Sequence, residues 1–212
     1  MDCTRILAIR HGETAWNKDT RIQGQIDIPL NDTGLAQAQR TAEVLRHEGI
    51  SAVYSSDLAR AVQTAEAIAQ ACALELQHHI GLRERHFGVC QGFSWAELAE
   101  REPQVTDAWR RRVPEFAPPG GESLLDLQAR VVGAFNDLAA RHVGEQIAIV
   151  AHGGVLDIVY RAATQLDLQA PRTWVLANAS INRVLWTPQG MTLVGWGDVA
   201  HLDASVRDET TS

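Results

Sequence analysis

The sequence predicts an α/β protein, a three-layer α/β/α sandwich with a mostly parallel sheet. Three observations carry that expectation. Short apolar runs alternate with segments of helical period over most of the 212 residues, the pattern of repeated strand–helix units. The candidate strands at 5–9 and 146–150 carry unbroken apolar runs rather than alternating ones, as strands covered on both faces do. Both lead into glycine-containing turns, Arg10-His11-Gly12 and Ala151-His152-Gly153-Gly154, and open parallel sheets bind ligands beyond the carboxyl ends of their strands.

The strand at 5–9 therefore reads as central. A helix is expected over 33–48, where Asn31, Asp32 and Thr33 offer capping oxygens, Leu35, Ala38, Ala42 and Leu45 recur at helical spacing, and Gly49 ends the element. Residues 51–54 read as a second strand, after which Ser55, Ser56 and Asp57 cap a helix carrying Leu58, Val62, Ala65, Ile68 and Ala69. A weaker strand at 74–77 leads to Gly81-Leu82-Arg83-Glu84. From 87 to 121 the pattern dissolves, broken by Pro103, Pro114, Pro118 and Pro119, and reads as a partly helical lid. An amphipathic helix over 122–142 presents Leu124, Leu127, Val131, Val132, Phe135 and Leu138 on one face. The strand 146–150 and a helix over 155–164 follow, and strands at 181–186 and 192–196, joined by Pro188-Gln189-Gly190, make a closing hairpin. No internal repeat or low-complexity tract interrupts this order. One domain over 1–212, with 85–121 as a lid insertion, is expected.

Composition limits the partners. Lys and Arg number 19 against 26 Asp and Glu, a net charge of −7, so the molecule as a whole repels polyanions, and neither nucleic acid nor an anionic membrane surface is expected as a partner. The apolar fraction of 45% is that of an ordinary globular chain, and no apolar run approaches the ~20 residues a membrane helix needs. The run at 6–9 is too brief for a signal-peptide core. Cys3, Cys72 and Cys90, odd in number and widely spaced, read as reduced thiols. A cytoplasmic location is the expectation.

The turns beyond the strand ends collect Arg10, His11, Arg60, Glu84 and His152. Two guanidiniums beside two imidazoles make a local positive site in an acidic protein, matched to a dianion such as a phosphomonoester, which arginine grips bidentately. Gly12, Gly153 and Gly154 let backbone N–H groups approach such an anion, and the helix beginning near Val155 aims its positive end there. His78, His79 and His86 lie near one another but lack the regular ligand spacing of a zinc site. No metal and no other cofactor are expected.

The run Ile9-Arg10-His11-Gly12-Glu13-Thr14-Ala15-Trp16-Asn17 resembles the signature of the histidine phosphatase superfamily, the phosphoglycerate-mutase-like enzymes. The resemblance continues in order through Gln23-Gly24, Pro29-Leu30, Gly34, Ser55-Ser56, Arg60 with Thr64-Ala65, Leu82-Arg83-Glu84, Gly88 with Gly92, Gly121-Glu122-Ser123 and Ala151-His152-Gly153. It implies a phosphoglycerate-mutase-like fold and covalent catalysis, with the neutral imidazole of His11 attacking phosphorus and holding it as a phosphohistidine. Arg10 and Arg60 would neutralise the phosphoryl oxygens in the place a metal ion fills elsewhere. His152 would add a hydrogen bond to the transferring group. Glu84 would give a proton to the leaving oxygen and then act as base for the water that opens the phosphoenzyme. Gly12, Asn17, Gln23, Gly24 and Gly153 would contact substrate, and Glu13 would orient Arg10 or His11 or cap a turn.

Hydrolases and mutases of this family share the phosphohistidine, so the surroundings must decide between them. The stretch 84–121 is shorter than the corresponding chain of the cofactor-dependent glycolytic mutases, and Gly121-Glu122-Ser123 resembles the broad-specificity phosphatase branch. Hydrolysis of small phosphorylated metabolites is the favoured activity, with phosphoglycerate mutase activity as the alternative. Glu84-Arg85-His86-Phe87-Gly88 and Trp109-Arg110-Arg111-Arg112 resemble mutase segments that recognise a phosphoglycerate carboxylate or distal phosphate. Arg85 and Arg111 or Arg112 would then favour phosphorylated hydroxy acids; the competing reading is a solvated basic helix face. A catalytically silent phospho-ligand-binding module is disfavoured, because every expected reactive residue is present. Pairing across a sheet edge would allow a homodimer.

Overall fold

The computed structural model describes residues 2–202. The strands are β1 (Thr4–Arg10), β2 (Ala52–Ser55), β3 (Leu76–His78), β4 (Gln146–Ala151), β5 (Ile181–Thr187) and β6 (Gly190–Asp198). They form one sheet in the order β3-β2-β4-β1-β5-β6. The first four positions pair in parallel, and β5 and β6 close the other side antiparallel. The helices are α1 (Ala15–Lys18), α2 (Asp32–Leu45), α3 (Ala59–Ala71), α4 (Trp95–Arg101), α5 (Pro103–Arg110), α6 (Leu124–Ala139) and α7 (Gly153–Thr164).

Period-two alternation in the central strands sorts the core into two halves. Ile6, Ala8, Ile147 and Ile149 pack with Leu127, Phe135 and Leu156 of α6 and α7 on one face. Leu7, Ile9, Ala148 and Val150 pack with Ala38, Leu45, Ala61 and Ile68 of α2 and α3 on the other. Both faces of β1 and β4 are therefore covered, which accounts for their unbroken apolar runs. The three-layer sandwich and its mostly parallel sheet match the expectation.

Element ends move where a side chain has competing partners. The helix expected from residue 122 begins at Leu124, because Ser123 Oγ accepts from Asp126 N and the Asp126 carboxylate accepts from Ser123 N. The third strand starts two residues later than expected: Ala73 takes φ +56°, and Leu74 N closes on Ala69 O at 2.9 Å to finish α3. Within 87–121 the chain forms α4, capped by Ser94 and Glu97, and α5, which starts on Pro103. Ile22, Cys90, Leu98 and Val105 give this region a small core of its own. The closing hairpin turns on Pro188 and Gln189, with Gly190 already paired to Thr187.

Among the described residues no helix is long and apolar enough to cross a membrane. The register Arg10↔Ala151 and Ser55↔Val150 brings the turns after β1, β4 and β2 out side by side, and that edge positions the site.

Candidate active site

His11 follows β1 and is fixed through its main chain. Its N–H donates to Ala151 O of β4 at 3.0 Å, and its carbonyl accepts from Ala179 N at 3.2 Å and Asn178 Nδ2 at 3.1 Å. Its Nδ1 lies 2.7 Å from the Gly12 carbonyl. A carbonyl can only accept, so Nδ1 carries the proton and Nε2 keeps its lone pair. Burial holds the imidazole well below the usual histidine range, and the charges of Arg60 and Arg10 push the same way. The ring is neutral, in one tautomer, with its nucleophilic nitrogen unprotonated.

Gly12 allows this turn to pass under α2: a Cβ there would lie 2.5 Å from Gly34 O. Its own N–H donates to Thr64 Oγ1 at 3.0 Å rather than standing ready for an anion. Arg60, fully buried in the first turn of α3, donates to Ile26 O at 3.0 Å and to Gly24 O at 2.6 Å. Arg10 donates through Nη1 to Leu176 O. Glu13 accepts from Asn31 Nδ2 at 2.8 Å and so steadies the entry to α2.

His152 follows β4 at the start of α7, with its ring centroid 5.2 Å from that of His11. Its Nε2 lies 2.7 Å from Ser56 Oγ, and its buried Nδ1 has no hydrogen-bond partner among the described residues. Burial first, and then Arg60, depresses its pKa as well. The Ser56 hydroxyl was expected to cap α3; α3 instead begins after Leu58 with no side-chain cap, and Ala59 N donates to Asp27 Oδ1 at 2.7 Å.

Glu84 is held at both oxygens. Oε1 accepts from Arg85 N at 2.7 Å, and Oε2 accepts from Gly154 N, in the first turn of α7, at 3.0 Å. A Cβ on Gly154 would stand 2.3 Å from Oε1. One helix N-terminal donor that the sequence offered to a bound anion is thus occupied by Glu84. Arg130 of α6 ties down the same loop through the carbonyls of Gly81 and Arg83 and the carboxylate of Glu122.

Arg10, His11, Arg60, Glu84 and Gly153 share one cavity of about 280 Å³, with His152 buried against His11. Asn17, Gln23 and Gly24 line it too. Thr14 and Asn17 cap α1 reciprocally, which holds the Asn17 side chain, and Gln23 Oε1 is buried with no partner among the described residues. Arg85 and Arg112 reach the cavity, whereas Arg110 and Arg111 are exposed away from it and Arg111 pairs with Asp107 at 2.5 Å. Arg85 is buried, with Nε on Glu122 O at 2.8 Å and Nη2 on Phe116 O at 3.0 Å; burial brings its pKa down to about 10, so it stays cationic at neutral pH. Arg112 donates to Leu168 O at 2.7 Å and to Asp157 Oδ2 at 2.8 Å.

His79 and His86 each accept from a nearby glycine N–H, Gly81 and Gly88. Among the described residues no group of three His, Cys, Asp or Glu side chains is placed to hold a metal ion. No sequence pattern pairs Ser56 with His152, Thr64 with Gly12, or Asn178 with the His11 carbonyl, although all three contacts form. Ser56 carried a capping signal that pointed elsewhere, and Asn178 lies in a stretch without a motif.

Residues 6–199 match the family described as histidine phosphatase superfamily (branch 1). A metal-independent phosphoserine phosphatase of Arabidopsis thaliana is 43% identical over 206 residues, 96% of this chain and 85% of that one. Phosphoglycerate mutase-like protein 4 of the same plant is 41% identical over 207 residues, 96% of this chain and 89% of that one. The solved structure of a mycobacterial glucosyl-3-phosphoglycerate phosphatase superposes with a TM-score of 0.83 at 31% identity, covering 92% of this chain and 99% of that one.

Proposed function

The chain belongs to branch 1 of the histidine phosphatase superfamily, and we propose that it hydrolyses small phosphomonoesters without a metal, through a phosphohistidine on His11. The observation that carries this reading is the Nδ1 to Gly12 carbonyl bond, which leaves Nε2 of a neutral ring as the attacking atom. Nε2 forms the bond to phosphorus as the ester oxygen leaves, and Glu84 supplies the proton that oxygen takes. Arg10 and Arg60 offset the charge on the remaining phosphoryl oxygens, and His152 adds a donor beside them. Glu84, now ionised, takes a proton from water, which attacks phosphorus and releases phosphate and the free imidazole.

The relative named as a phosphoserine phosphatase supports phosphoserine as one substrate. Phosphoglycerate mutation is the second reading, favoured by the mutase-like relative and by Arg85 and Arg112 on the cavity wall. In either case we read the described residues as one domain, with 85–121 as its lid. The three cysteines are free, in keeping with a cytoplasmic protein, and the outer edge of β6 is where a homodimer would pair.

Rapid quench with a phosphorus-labelled phosphomonoester tests the mechanism. The expected result is an acid-labile, base-stable adduct on His11, absent in His11→Ala. Undiminished phosphate release by His11→Ala would refute it. With 3-phosphoglycerate, with and without 2,3-bisphosphoglycerate, isomer formation that outpaces phosphate release would make the protein a mutase.

A further inference from the structure

Away from His11 the cavity changes character. Phe87, Trp95 and Trp109 line it, backed by Ile22, Leu124 and Leu127. The Trp109 ring centroid lies 4.8 Å from that of Trp95 and 5.0 Å from that of Phe87, so the three rings form one continuous surface. They are only half-buried, whereas the lid's own core residues Cys90, Leu98 and Val105 are buried. Phe87 and Trp95 pack against that core on one side, and all three rings line the cavity on the other.

The cations on this side are largely engaged with the protein. Arg85 gives Nε and Nη2 to two carbonyls and stacks at 4.8 Å on the Trp109 ring, which fixes the ring's orientation. Arg112 gives Nε to Leu168 O and Nη2 to the Asp157 carboxylate, which it shares with Arg161, so two of its donors are engaged within the protein. The segment that resembles a carboxylate reader therefore presents an aromatic wall to the same cavity that Arg10, His11 and Arg60 line.

We propose that Phe87, Trp95 and Trp109 form a subsite for an aromatic ring carried by the leaving group, so that the preferred substrates are phosphomonoesters with an aromatic body. This rests on the hydrolase reading above and deepens it. The phosphoryl group is held by Arg10 and Arg60, and the ring lies against the indoles with its apolar faces out of water. Small-molecule sites commonly combine a few fixed polar groups with apolar and aromatic walls in this way.

Lys18, Arg21 and Arg172 also border the cavity, so the test sets acidic ligands against aromatic ones. Methylphosphonate, benzylphosphonate and 3-phosphonopropionate are titrated into the full-length protein by calorimetry. They have no ester to cleave, so leaving-group reactivity plays no part in the result. Benzylphosphonate is expected to bind at least tenfold more tightly than either of the others. In Trp95→Leu and Trp109→Leu that advantage falls at least fivefold, while methylphosphonate binding changes less than twofold. Equal affinities, or tightest binding of 3-phosphonopropionate, would overturn the proposal. Should Trp109→Leu fail to fold, Trp95→Leu and the wild-type affinity order still decide. Failure of the hydrolase reading would show separately, as the lack of a His11 adduct whatever the phosphonate order.

Discussion

Ser56 Oγ lies 2.7 Å from Nε2 of His152, a bond that joins the turn after β2 to the turn after β4. The hydroxyl also accepts from Leu58 N at 3.4 Å, and its remaining proton and lone pair face the ring nitrogen, so this contact holds the imidazole in place between the two turns. Ser56→Ala leaves that nitrogen unsatisfied in a buried site, which costs roughly 1–3 kcal/mol. The expected outcome is a fall in kcat for an alkyl phosphomonoester of about ten- to a hundredfold, with Ser56→Cys recovering part of it. A change within twofold in steady-state assays would dismiss the role of Ser56 in positioning the His152 ring.

Both site histidines are held neutral by burial, with Arg60 the leading charge contribution. Their folded pKa values lie below the unfolded value, so above about pH 6.5 neither state takes a proton and nothing is lost. As pH falls below that value the unfolded chain binds protons the folded chain refuses, and stability drops by up to about 1.4 kcal/mol per pH unit for each histidine until the folded pKa is reached. Urea unfolding between pH 7.5 and 5 checks this, and His152→Ala should flatten the slope. The acid limb of kcat/KM should also lie below pH 6.5 and move upward in Arg60→Met.

Gly154→Ala puts a methyl group 2.3 Å from Glu84 Oε1, and the carboxylate must shift. General acid assistance is worth about 10²–10⁴ where the leaving oxygen is basic. Turnover of an alkyl phosphomonoester should therefore fall about a hundredfold or more, and that of p-nitrophenyl phosphate, whose leaving group needs little protonation, about tenfold less steeply. The melting temperature should hold, since alanine favours the helix by roughly 0.5–1 kcal/mol over glycine. Equal losses for both substrates would argue against Glu84 as the acid.

Asp157 Oδ2 lies 2.8 Å from Arg112 and 2.9 Å from Arg161, which is only 1% exposed. Removing the carboxylate leaves buried positive charge uncompensated, a loss of about 3–5 kcal/mol. Asp157→Ala should shift the denaturant midpoint accordingly, and Asp157→Asn, which keeps an acceptor, should shift it less.

The sandwich was legible because the middles of β1 and β4, residues 6–9 and 147–151, are covered on both faces and carry no polar residue, and because α2, α3, α6 and α7 repeat their apolar residues at helical spacing. The five residues that meet around the cavity were legible for a related reason. His11, Glu84 and His152 follow strands, and Arg10 and Arg60 sit at a strand end and in a first helical turn, where topology alone directs a search. The lid was harder to read. Prolines mark breaks in general, yet Pro103 occupies the first turn of α5 and starts it. What Arg85 and Arg112 touch depends on carbonyls at Phe116, Glu122 and Leu168 that arrive from other loops. No local pattern encodes such partners, so a segment resembling an acid reader gave no sign of its aromatic face.

The pairing of β1 with β4 also has a kinetic side. Arg5 lies opposite Gln146, 141 residues further along the chain, and His11 and His152 meet only once that pairing forms. Contacts of such sequence separation are slow to close and come with the central sheet rather than before it. Enzymatic activity regained during refolding is thus a clock for the assembly of the sheet, and a chain halted short of β4 would hold its nucleophile without its partner.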